Sequence, residues 1–173
     1  CVGGFMLPFM EKLGYEVPSF DFSLEGVTSI SADLHKYGYA AKGVSVILYN
    51  NRELRKQQFF VYTNWVGGIY ASQTAGGTRP GGAIASAWAA INGIGLDGYL
   101  KLVKTTMNTT TKLKRGIESI DGLKILGQPD MSILAVASDK INIYAVADEL
   151  SAKGWYIDRQ QSPPSIHLTI SPI

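Results

Sequence analysis

Two lysines six residues apart, Lys36 and Lys42, frame the run "HKYGYAAKG", with His35 directly before the first. An amine is a nucleophile only when it has lost its proton, and a lysine in water keeps it up to a pKa of about 10.4. Burial or neighbouring cations lower that value and free the nitrogen for a covalent bond to a carbonyl. Lys36 has His35 beside it and Lys42 nearby. A solvated turn lysine is the ordinary alternative, and composition alone does not decide between them. A second glycine-rich stretch, "WVGGIYASQTAGGTRPGG" (65–82), offers backbone N–H groups and the hydroxyl of Thr78 to an anion. Such loops are also often plain connections.

The elements that must position these residues can be read from the pattern. "VTSISAD" (27–33) is β-branched and short, a strand. "VSVILY" (44–49) is apolar at nearly every residue, which predicts a strand buried on both faces. The lysine run between them is then a loop or tight turn against a sheet. Pro8 followed by "FMEKLGY" predicts a short helix stopped at Gly14. "NRELRKQQF" reads as a helical turn exposing charge. Residues 63–82 are too dense in glycine for a regular element and read as one long structured loop.

"AIASAWAAI" reads as a closely packed helix. Residues 97–120 carry Leu100, Val103, Met107, Leu113, Ile117 and Ile120 at helical spacing with a lysine-rich outer face, and Asp121-Gly122 ends that helix. "MSILAVAS", "NIYAVADELSAKG", "WYIDRQ" and "SIHLTIS" then read as strand, helix, strand and strand. Ile166, Leu168 and Ile170 alternate on one face and His167 lies on the other, as a half-exposed strand histidine. This is a small α+β domain, with a boundary near residue 121.

The 173 residues are 46% apolar and 17% charged, as in a globular chain, and the net charge of +2 is spread with mixed signs. That balance argues against a nucleic-acid partner. One cysteine, Cys1, makes no internal disulfide, so a reducing, cytoplasmic compartment is expected. No apolar run approaches the ~20 residues of a membrane span. The opening "CVGGFMLPFMEKLGY" lacks an initiator methionine and starts apolar, which leads us to expect a chain that begins inside a larger protein, with any anchor upstream.

"SADLHKYGYAAKG" resembles the lysine signature of the group II pyridoxal-phosphate-dependent decarboxylase family. The resemblance implies that Lys36 holds pyridoxal 5'-phosphate covalently and that His35 serves its phosphate side. Within the family, a lysine six residues after the first is the mark of the sphingosine-1-phosphate lyases, and His35-Lys36-Tyr37-Gly38-Tyr39-Ala40-Ala41-Lys42-Gly43 is similar to their version. By that match Lys42 receives the substrate phosphate, a role suited to a flexible point charge. Gly76-Gly77-Thr78-Arg79-Pro80-Gly81-Gly82 is similar to the lyase segment that crosses a dimer interface. Thr78 keeps the hydroxyl of the usual serine, while Gln73, Ala75 and Gly76 depart from the pattern. Gly77 and Thr78 are thereby assigned to the partner subunit's cofactor phosphate, and Arg79 to the interface. "AKGWYIDRQQSPPSIHLTIS" also resembles the lyase ending.

The resemblance implies an α/β fold: the C-terminal part of a fold type I large domain (1–121, with interface loop 63–82 and the long helix), then a small α+β domain (122–173). It implies a homodimer with shared active sites. The implied reaction is retro-aldol cleavage of a sphingoid base 1-phosphate to a fatty aldehyde and phosphoethanolamine. The family's carboxylate for the pyridine nitrogen would fall just before Cys1, so this chain alone is expected to have little or no turnover. An amino-acid decarboxylase of the same family and a non-catalytic dimerisation fragment are the alternatives. Asp33 and Ser31 read as support for the lysine loop. Tyr37, Tyr39 and Tyr70 are candidates to line the site.

Overall fold

The computed structural model describes residues 4–172. Cys1, and with it most of the "CVGGF" string, lies outside the described residues. The chain divides into two compact units, one of residues 1–7 and 18–95, the other of 8–17 and 96–173.

In the first unit, β1 (Ser29–Ala32) and β2 (Val46–Tyr49) form an antiparallel pair, with Ser29 opposite Tyr49 and Ala32 opposite Val46. α2 (Arg52–Lys56) follows, capped by the Asn51 side chain, which accepts from the Leu54 N–H at 2.9 Å. β3 (Phe60–Trp65) and β4 (Gly68–Ser72) form a second antiparallel pair with an irregularity between Tyr62 and Trp65. Leu34, Ala40, Val44 and Ala87 form the buried cluster, joined by Phe5, Val46, Ala83 and Ala90.

Two expectations change here. β2 is not buried on both faces: Ile47 and Leu48 are each about half exposed. Its hydrogen-bonded neighbour among the described residues is β1 alone, so no sheet extends far enough to cover it. The glycine-dense stretch is also not one long loop. Its first part is the β3–β4 hairpin, because Val66 and Gly67 make the turn and Gly68 opens β4, while aromatic and β-branched residues fill the strands. Only residues 73–80 remain as loop. The hairpin is bare: Phe60, Val61, Tyr62, Trp65 and Ile69 are exposed, and Val66 at the tip fully so.

Helical backbone runs from Gly81 to Glu118 as α3, interrupted at Gly95 (φ 63°, ψ 178°), a conformation open in practice only to glycine. The two helical readings, over "AIASAWAAI" and 97–120, thus meet at a break on the division between the units. The first stretch is not packed all round, since Ile84, Trp88 and Ile91 form an exposed stripe at helical spacing.

In the second unit, α1 (Leu7–Lys12) buries Met10, and Phe9 stacks on Tyr99 at 5.1 Å. α3 buries Tyr99, Val103 and Met107, with Thr106 and Thr110. Those two hydroxyls donate to the Leu102 and Thr106 carbonyls at 2.9 and 2.8 Å, so their burial leaves no polar atom unpaired. A four-stranded antiparallel sheet has the order β5-β6-β8-β7, from β5 (Lys124–Ile125), β6 (Ile133–Ala137), β7 (Asp158–Gln161) and β8 (Pro164–Thr169). α4 (Ile143–Ala152) packs on it through Ile143 and Ala147, against Val136, Ile157 and Ile166. β7 starts later than "WYIDRQ" suggests, and Trp155 and Tyr156 are exposed. His167 faces away from the Ile166 and Ile170 side, as expected, 3.7 Å from Asp158.

Candidate cofactor site

The lysine run is the connection between β1 and β2, and it is a tight turn. The Lys36 N–H donates to Asp33 O at 3.2 Å, Tyr39 N–H to Lys36 O at 3.0 Å, and Ala40 N–H to Leu34 O at 3.0 Å. Leu34 and Ala40 pack into the unit's buried cluster and pin the turn down, and Tyr37 between them is buried too. Gly38 has to be glycine: a Cβ there would lie 2.6 Å from the Leu34 carbonyl oxygen and 2.8 Å from its Cα. Tyr39 takes up a positive φ of 56°, which is uncommon outside glycine. A second anchor comes from the helix: Ala41 N–H donates to Ser86 Oγ at 3.1 Å.

On this frame sit the candidate groups. His35 Nδ1 lies 2.7 Å from the Val44 carbonyl, which can only accept, so Nδ1 carries the proton and the ring is fixed in orientation. Lys36 Nζ lies 2.8 Å from Asp33 Oδ2, with its side chain about one-third exposed. The other carboxylate oxygen, Asp33 Oδ1, accepts from Ser45 Oγ at 2.6 Å. The hydrogen bond from Lys36, then that from Ser45, holds the Asp33 carboxyl well below the usual carboxylate range. Lys42 is exposed on the same connection.

Gly77 and Thr78 belong to a different loop, the one after β4, and its bonds close largely on itself. Gly77 N–H donates to Thr74 O at 3.4 Å. The Arg79 guanidinium donates to Gly77 O at 2.7 Å and to Thr74 Oγ1. Gln58 Nε2 ties the loop's start by donating to Gln73 O at 2.9 Å. Tyr37 is buried, whereas Tyr70 is exposed and packs on the Phe60 and Trp65 rings. Sequence reasoning missed Ser45 and Ser86. Ser45 had a signal, a lone hydroxyl inside the apolar run "VSVIL"; Ser86, in a stretch of alanines, had none beyond its type.

The donor set fits pyridoxal phosphate. That cofactor needs a reachable primary amine on a rigid support, and Lys36 on its pinned turn is one. Among the described residues no group of acidic, cysteine and histidine side chains is placed to hold a metal ion. Nor is any described helix long and apolar enough to cross a membrane.

No family model matches the chain. The fold is that of the fold type I pyridoxal-phosphate enzymes: glutamate decarboxylase of Lactobacillus brevis superposes with a TM-score of 0.75 over 98% of this chain and 40% of that one, at 20% identity. The finer likeness is to sphingosine-1-phosphate lyases. The structure of the Burkholderia pseudomallei enzyme superposes with a TM-score of 0.92 at 42% identity, over 99% of this chain and 39% of that one. Sphingosine-1-phosphate lyase of Oryza sativa subsp. japonica is 51% identical over 171 residues, 99% of this chain and 32% of that protein. The chain is thus homologous to sphingosine-1-phosphate lyases along nearly all its length, and it spans about a third of the length of the curated relatives it matches.

Proposed function

We propose that the chain forms part of a pyridoxal-phosphate-dependent carbon–carbon lyase. The reaction is retro-aldol cleavage of a sphingoid base 1-phosphate to a fatty aldehyde and phosphoethanolamine. The observation that carries this reading is the pinned turn presenting Lys36, within a string that continues to Lys42. The likeness to lyases at 42–51% identity, against 34% for a curated decarboxylase, favours the lyase over the decarboxylase.

Bound pyridoxal phosphate supplies an electron sink for the pair left when the C2–C3 bond breaks. Lys36 Nζ is the covalent attachment point and carries protons at that nitrogen. His35, its ring set by the Val44 carbonyl, serves the phosphate side of the cofactor. Lys42 offers an exposed ammonium to the substrate phosphate. Gly77 and Thr78 serve the cofactor phosphate of a second subunit, with Arg79 at the interface.

The bare β3–β4 hairpin and the Ile84–Trp88–Ile91 stripe are apolar surfaces of the kind that mark association, and they support a homodimer with shared sites. In the longer protein, residues 1–121 would close the large domain and 122–173 form the small one. A cytoplasmic location is part of the same reading.

Borohydride reduction of the full-length protein with pyridoxal phosphate, followed by peptide mass mapping, tests the assignment. The label is expected on Lys36. Label on another lysine refutes it, and carbon dioxide release from an amino acid by the full-length protein would replace the lyase with a decarboxylase. A full-length protein with no label and no turnover would mark a non-catalytic dimerisation role.

A further inference from the structure

Five lysine or arginine side chains of the described residues pair with carboxylates, and one pair is unlike the rest. In four of them the carboxylate side chain is 74–89% exposed, on Glu53, Asp139, Asp121 and Asp148. These are solvated surface pairs that contribute little. The carboxylate facing Lys36 is 18% exposed, and both its oxygens are used, Oδ2 by Lys36 and Oδ1 by Ser45. The two contacts come from opposite ends of the connection. Lys36 lies on the turn after β1, and Ser45 immediately precedes β2. Asp33 is therefore clamped in place by one partner while it holds the other.

We infer that Asp33, oriented by Ser45, is a positioning residue that docks the Lys36 ammonium whenever that nitrogen is not in covalent use. The inference rests on the reading of Lys36 as the cofactor lysine. A lysine that is alternately attached and released needs somewhere to go on release, because its four-carbon stem otherwise explores many rotamers. The carboxylate gives it one place, on the turn that presents it, with its proton retained. A hydrogen-bonded carboxylate is well suited to this task, since it stays charged over the whole physiological range.

The test uses a probe that needs no cofactor binding. The full-length protein is stripped of pyridoxal phosphate, then methylated with formaldehyde and cyanoborohydride at fixed pH. Rates at Lys36 are read by peptide mass spectrometry against Lys140 in the same molecule. Asp33→Asn is expected to raise the Lys36 rate about two- to five-fold with Lys140 unchanged, the scale of losing one partly exposed ion pair. Asp33→Glu is expected to restore most of the protection. Ser45→Ala, which frees the carboxylate to turn, gives a smaller rise in the same direction and decides the matter if Asp33→Asn does not fold. Equal Lys36 rates in the wild type and in whichever variant folds overturn the inference. If pyridoxal phosphate instead labels another lysine, the cofactor reading fails, while the methylation rates still decide whether Asp33 docks Lys36.

Discussion

Gly38 is the position where the backbone of the lysine turn is most sharply constrained. A Gly38→Ala change would place a methyl group 2.6 Å from the Leu34 carbonyl oxygen and 2.8 Å from Leu34 Cα, where ordinary contact begins near 3.4 Å. Both atoms are main chain, so no side chain can swing aside. The oxygen is also the acceptor for the Ala40 N–H at 3.0 Å, the bond that closes the turn. Overpacking of this kind costs about 1–3 kcal/mol. The reduced freedom of the unfolded chain returns about 0.4–1 kcal/mol, leaving a net loss of about 1–2 kcal/mol. If the loss falls on the turn, the closed form becomes about five- to thirty-fold less populated relative to open ones. The assay is paired: urea unfolding for stability, and the rate of borohydride-trapped pyridoxal phosphate on Lys36 for turn geometry. Gly116→Ala is the control, since an added Cβ there meets nothing within 4 Å in a helix, and it should gain about 0.5–1 kcal/mol. A Gly38→Ala protein as stable as wild type, with the same trapping rate, would refute the argument that this turn fixes the lysine.

Three further outcomes are expected. Leu134→Ala on β6 removes a fully buried side chain and should cost about 2–5 kcal/mol in urea unfolding, with the sheet of the second unit lost first. Because the Asp33 carboxyl is depressed in the folded state, its contribution to stability is complete above the ordinary carboxylate range and lost as pH falls through its lower folded value; acid titration by circular dichroism should show Asp33→Asn lacking that strongly acidic step. Lys42→Ala should lower kcat/KM for a phosphorylated substrate about 10- to 100-fold, the scale of one charge-assisted hydrogen bond, and leave an unphosphorylated analogue untouched; equal losses on both would remove Lys42 from the phosphate site.

The place of the lysine turn was legible in the sequence because it lies within ten consecutive residues bounded by two strand patterns. Its supports were legible only in part. Ser45 acts across the turn on Asp33, and Ser86 reaches Ala41 from a helix 45 residues away, a separation that no local pattern reports. The α+β segment at the end read well because each element carries its own periodicity and Asn142 caps α4. β2 read wrongly for the opposite reason. An apolar run states a preference for burial, but the elements that would satisfy it are not in the local sequence, and Ile47 and Leu48 remain half exposed. The hairpin was hidden by counting glycines rather than locating them. They cluster at its turn and beyond its end, leaving "FVYTNW" free to be a strand.

That strand also has consequences before any reaction begins. "FVYTNWV" (60–66) is a β-prone run without a charge or a proline, and among the described residues it is paired on one side only, by β4. Such an edge is a template for adding further chains. For the proposed homodimer, synthesis sets a race between correct assembly and self-association, and the winner depends on concentration and temperature. Molecules left outside that homodimer would display the same apolar tip, led by Val66, to chaperones and proteases. Charged substitutions at Val66 would ease production of the isolated chain and impair assembly, so yield and oligomeric state should trade against each other along a Val66 series.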